Sequence, residues 1–177
     1  MKTLLLGLGN PFVRDDAVGI RLARAARREL GDRPELDWRP ECSTGGLDLL
    51  PLLEGYDRLL VFDAIRTRGG RPGDWYRFTA RELRETRHLD SVHDVNFATA
   101  LELGRRLGMV LPPDGEIHIL AVEILANDEF GQEFSPLLEQ AWPGLQREVL
   151  AEVRRLLEAE TDPADCPAAQ RSESGHA

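Results

Sequence analysis

Two aspartates and a histidine, widely separated along the chain, are the residue types that could grip a divalent cation: Asp16, Asp63 and His93. Asp16 ends the polar part of "GLGNPFVRDDAVG" (7–19), where a strand pattern turns through glycines into a helical one. Asp63 follows four apolar residues in "RLLVFDA" (58–64), and His93 falls in "SVHD" (91–94) at the opening of another helical pattern. Two carboxylates and an imidazole make a reasonable donor set for a divalent transition metal with coordination positions left open. Each residue also has a structural reading. An aspartate at a helix start can cap it or complement its macrodipole, which is the role expected of Asp15, leaving Asp16 as the ligand candidate. Asp63 can begin a turn, and a histidine in a first helical turn can be purely structural. Position favours a shared site, because all three stand at the ends of their elements.

Those elements follow from the pattern of apolar residues. "TLLLGL" (3–8) reads as a buried strand ended by Gly7 and Gly9, with a helix from near Asp15 or Asp16 to Leu30 behind it. Val18, Leu22, Ala26 and Leu30 recur every fourth residue, and Gly31 supplies the stop. "ELDWR" (35–39) is a second strand, followed by the turn "CSTGG" and a short helix over "LDLLPLLEG". "RLLVFDA" is the clearest strand, and "DWYRF" is a candidate further strand after a loop rich in glycine. Ser91 and Asp94 fit a capping box for a helix carrying Phe97, Leu101 and Leu107 that stops at Gly108. "EIHILAVE" (116–123) is a further strand, and a long amphipathic helix covers about 135–160. Strands alternating with helices predict a largely parallel sheet covered on both faces, with ligands gathering at the carboxyl ends of the strands. Residues 1–160 read as one α/β domain and 161–177 as a disordered tail.

The remaining chemistry is narrowed by exclusion. The formal net charge of −9 argues against nucleic acid or an anionic membrane as partner. The arginines at 21, 24, 27 and 28 fit the solvated side of a helix. No stretch approaches the roughly 20 apolar residues of a membrane span, and the opening lacks the pattern of a signal peptide. Two distant cysteines, Cys42 and Cys166, suit a reducing cytoplasm, the expected compartment. A dinucleotide fingerprint fails at Phe12, where its third glycine belongs, and Asp15 and Asp16 would repel a pyrophosphate. There is no H-E-x-x-H helix, nucleophile elbow or recognisable Ser-His-Asp or Cys-His arrangement. His118 within a strand, Cys42 before a turn and the exposed-looking His88 read as structural. Gly7, Gly9, Gly45 and Gly46 read as tight turns, the last two also able to admit an extended peptide.

The opening "GLGNP" is shared with peptidyl-tRNA hydrolases, but the likeness stops after five residues, and no histidine occurs before His88. "GLGNPFVRDDAVG" resembles more fully the opening of the hydrogenase maturation endopeptidases. The resemblance continues through "STGGLDLLPLLEGYDRLLVFDA" and "SVHDVNFATALELGRRLG" to "EFSP", covering about residues 1–155. It implies a three-layer α/β fold (phosphorylase/hydrolase-like), and a protease that removes a C-terminal extension from a nickel–iron hydrogenase large-subunit precursor. It further implies that Asp16, Asp63 and His93 recognise nickel brought by that precursor rather than a permanently bound metal, with metal-assisted hydrolysis as the chemistry. Either carboxylate can serve as base. The alternatives are a non-catalytic nickel-site chaperone and a peptidyl-tRNA hydrolase. The segments "IRTRGGRPGDWY" and "ILANDEFGQEF" are candidates for partner contact or ordinary surface loops.

Overall fold

The structure is a computed structural model and describes residues 1–85, 92–125 and 129–159, the side chains of 84, 85 and 92–96 excepted. The expected Ser91–Asp94 capping box, His88, Cys166 and the tail 161–177 lie outside that description.

Period-2 alternation builds the sheet. In β1 (Thr3–Leu8), Leu5 faces one side while Leu4 and Leu6 face the other; all three are fully buried. β3 (Arg58–Ile65) splits likewise into Leu60 and Phe62 against Leu59 and Val61. β5 (Ile117–Glu123) splits into Leu120 and Val122 against Ile119 and Ala121. Strands buried on both faces read as continuous apolar runs, as parallel strands between helices do. β2 (Leu36–Cys42), β1, β3 and β5 run parallel, and β4 (Trp75–Thr79) closes the far edge antiparallel to β5. The order is β2-β1-β3-β5-β4.

One face is covered by α1 (Val18–Leu30) and α5 (Pro136–Glu158), with Val18, Leu22, Leu138, Val149 and Val153 in its core. The other is covered by α2 (Leu50–Leu53), α3 (Ala80–Glu85) and α4 (Val92–Arg106) through Leu53, Leu83, Phe97 and Leu101. This is a three-layer α/β architecture.

Several boundaries differ from expectation for identifiable reasons. β2 continues through Pro40 because it is an edge strand, where a missing N–H costs no ladder bond, and its register with β1 shifts near that proline. β3 runs two residues past Asp63. A 3₁₀ turn, Asp15–Ala17, precedes α1. α4 ends in a Schellman arrangement: Met109 N–H donates to Gly104 C=O and Gly108 N–H to Arg105 C=O, with Gly108 at φ +83°. Leu107, expected within that helix, lies just past its last residue and is exposed.

Gly7 and Gly19 serve close packing rather than turning. A Cβ on Gly19 would stand 2.4 Å from the carbonyl oxygens of both Leu8 and Phe62, and one on Gly7 would stand 2.5 Å from that of Pro40. The pair lets α1 lie directly on β1 and β3. Gly9, at φ +135°, is the residue that turns the chain.

Candidate functional site

Chain order reverses between β1 and β3: β1 leads outward to β2, and the chain then returns to β3 on the other side. In open α/β sheets such a switch point leaves a crevice at the strands' carboxyl ends. A cavity of about 760 Å³ lies there. Its lining includes Gly9 and Asn10 after β1, Cys42 to Gly46 at the end of β2, Asp63 to Arg68 at the end of β3, and Phe97 of α4. Asp16 and Asp63 both line it.

Asp16 is fixed by the loop it closes. Its Oδ2 accepts the Asn10 N–H at 2.7 Å, and Asn10 Oδ1 accepts the Phe12 N–H at 3.0 Å. A Cβ on Gly9 would stand 2.1 Å from the Asp16 carbonyl oxygen, so the return of the chain depends on glycine there. Asp63 lies in β3 on the same face as Val61 and Ile65, the face that α4 covers. Its Oδ1 accepts the Ala64 N–H at 2.8 Å. Both residues are partly buried. Among the described residues no three His, Cys, Asp or Glu side chains gather as a metal-binding group. The backbone of His93 lies in the first turn of α4, four residues before Phe97, and its side chain is outside the described residues.

The adjacent aspartates divide their work. Asp15 is only 2% exposed. Its Oδ1 accepts the Ser135 N–H at 2.7 Å and its Oδ2 the Ser135 hydroxyl at 2.6 Å. Ser135 is the N-cap of α5, so Asp15 does serve a helix start, but that of α5 rather than the one it precedes in sequence. Arg14 reinforces the join, donating to the carbonyls of Glu133 and Phe134 and pairing with Glu129. Val13 and Phe130 form an antiparallel bridge beside it. The segment "EFGQEF" is thereby tied to the Asp16 loop.

Other expectations sort cleanly. His118 is buried on β5 facing α5, away from the cavity. Burial, followed by the nearby Arg58 and Arg77 charges, pushes its imidazole down to about 4. Cys42 is a buried free thiol at the cavity wall, its S–H directed at the Thr44 carbonyl at 3.7 Å. Gly45 and Gly46 line the cavity; Gly46 has φ +62°, while Gly45 is extended backbone that requires no glycine. Arg66, Thr67 and Arg68, in the segment "IRTRGGRPGDWY", form a further part of the lining.

The family model for hydrogenase maturation proteases (HycI) matches residues 41–152. The hydrogenase 2 maturation protease of Escherichia coli (strain K12) is 27% identical over 165 residues, covering 85% of this chain and 99% of that protein. A solution structure of an endopeptidase from Escherichia coli aligns with a TM-score of 0.68 at 25% identity, over 88% of this chain and 93% of that one. The hydrogenase maturating endopeptidase HybD from E. coli aligns with a TM-score of 0.67 at 24% identity, with the same coverage. The "GLGNP" opening shared with peptidyl-tRNA hydrolases is thereby left as a five-residue likeness. The fold and the matches agree: the chain belongs to the hydrogenase maturation protease family.

Proposed function

We propose that this protease removes the C-terminal extension of a nickel-loaded nickel–iron hydrogenase large-subunit precursor, recognising the nickel that the precursor carries. The observation that carries the reading is the pair Asp16 and Asp63, which reach one cavity from opposite sides of the switch point. Carboxylate oxygens are fitting donors for a divalent cation, and His93 supplies the imidazole in this reading. The nickel belongs to the substrate, so recognition energy exists only once the precursor is metallated. Discrimination then rests on a difference in binding between two forms of one partner.

The chemistry is hydrolysis of one peptide bond. A water oxygen adds to the scissile carbonyl carbon, the water proton passes to a carboxylate, and the C–N bond breaks as the departing nitrogen takes a proton. Nickel held by the precursor supplies Lewis acidity to that step. Asp16 keeps its Oδ2 on the Asn10 N–H, which fixes the carboxylate's orientation. Asp63 is the second carboxylate able to take the proton.

The test is incubation of pure protein with nickel-loaded and nickel-free precursor, read by intact mass. Loss of a C-terminal fragment from the nickel-loaded form alone supports the proposal. Equal cutting of both forms overturns nickel recognition, and binding without cutting indicates a chaperone.

A further inference from the structure

The cavity lining carries two arginines besides its two carboxylates. Arg66 and Arg68 both line it, on the loop that leaves β3 at Ile65. The residue between them anchors that loop to the sheet. Thr67 donates its N–H to Glu123 Oε1 at 2.6 Å and its hydroxyl to Glu123 Oε2 at 2.8 Å. Glu123 closes β5 and is 2% exposed. The loop's return is fastened to the same residue: Gly73 N–H donates to the Glu123 carbonyl at 3.0 Å, and Glu123 N–H to the Asp74 carbonyl at 2.8 Å. Gly70 lies against the Glu123 carboxyl group, where an added Cβ would stand 2.1 Å from its carbon. A buried carboxylate requires such partners to offset its desolvation. Here they hold a short loop by both ends, so two guanidinium-bearing residues are presented on a fixed base.

Fixing them has an electrostatic use. The chain carries a formal net charge of −9, and Asp16 and Asp63 add negative charge inside the cavity. An anionic peptide approaching that surface is repelled unless cations stand where its charge must settle. Guanidinium is the side chain best matched to carboxylate geometry. We propose that Arg66 and Arg68 form a carboxylate-recognition wall of the substrate cavity, with Thr67 and Glu123 as positioning residues. The ligand is a carboxylate of the peptide to be removed, either its terminal α-carboxylate or an Asp or Glu side chain. This rests on the proposed reading, in which the excised segment ends the precursor and therefore brings a terminal carboxylate.

The experiment uses the full-length protein, the nickel-loaded precursor, and a synthetic peptide copying the precursor's extension, prepared as free acid and as C-terminal amide. Arg68→Ala is expected to raise KM about three- to tenfold with kcat within about twofold, the range of a partly exposed charge-assisted contact. Arg68→Glu raises it further, and Arg68→Lys recovers part of the loss. Calorimetric titration of the peptide should show the same ranking. If amidation removes the effect of Arg68, the terminal carboxylate is the ligand; if changing Asp and Glu of the extension to Asn and Gln removes it, a side chain is. Unchanged KM and peptide affinity in Arg68→Glu, or an equal loss for charged and neutralised substrates, overturns the proposal. Peptide titration needs no cleavage, so a wild-type protein that cuts no precursor sinks the protease reading without deciding this one.

Discussion

Replacing Asp15 and replacing Asp16 should have opposite consequences, although the residues are adjacent. Asp15→Ala removes both acceptors of Ser135 at the start of a 23-residue helix. Hydrogen bonds to a charged group contribute about 1.5–3 kcal/mol each, and leaving a buried donor unsatisfied costs about 1–3 kcal/mol. These overlap rather than add, so a loss of about 3 kcal/mol is expected. For a domain of this size each kcal/mol moves Tm by about 2–4 °C, which predicts a fall of about 6–12 °C. Asp16→Ala loses one hydrogen bond at a partly exposed position. It should cost about 1 kcal/mol while removing cleavage of the precursor. Thermal unfolding followed by circular dichroism, paired with cleavage measured below both transitions, separates the two. An Asp15→Ala protein melting within about 2 °C of the wild type would refute the cross-chain cap.

Two further consequences bear on stability. His118 has a folded-state pKa of about 4 against 6.5 when unfolded, so the unfolded chain binds a proton that the folded one refuses. Its contribution is intact above about pH 6.5 and is lost as pH falls toward 4, by up to about 3 kcal/mol at 1.36 kcal/mol per pKa unit. Urea unfolding of His118→Leu across that window should show a shallower pH dependence than wild type, and parallel curves would contradict the assignment. Gly19→Ala drives a methyl group into two backbone carbonyls and should cost about 3 kcal/mol or more, or force α1 off the sheet. A Gly19→Ala protein with unchanged denaturant midpoint would show that α1 does not lie so close.

What could be read from the sequence was what local pattern determines. β1, β3 and β5 announce themselves because strands buried on both faces are continuous apolar runs, and the Val18–Leu22–Ala26 spacing marks α1. α3 does carry a local signal in the sequence. Thr79 and Glu82 form a reciprocal capping box, with Thr79 N–H on Glu82 Oε2 at 2.6 Å and Glu82 N–H on Thr79 Oγ1 at 3.3 Å. Thr79 is also the last residue of β4, so the strand pattern overlaps the helix signal. Pro40 reads as a strand stop, and only the sheet order shows that β2 is an edge strand that tolerates it. The destination of Asp15 was not legible, since its partner Ser135 lies 120 residues away. Likewise Glu123 looks like the last residue of a strand, and only the folded chain brings it under Thr67. Asp16 precedes α1 and Asp63 lies near the end of β3, and because parallel strands put their carboxyl ends on one side, both line one cavity.

Intact-mass analysis of nickel-loaded precursor treated with wild-type protein, Asp16→Asn, Asp63→Asn and His93→Ala tests the central claim most directly. The account predicts loss of the C-terminal fragment with wild type and an intact precursor with each folded variant. Cleavage at the wild-type rate by all three would contradict it.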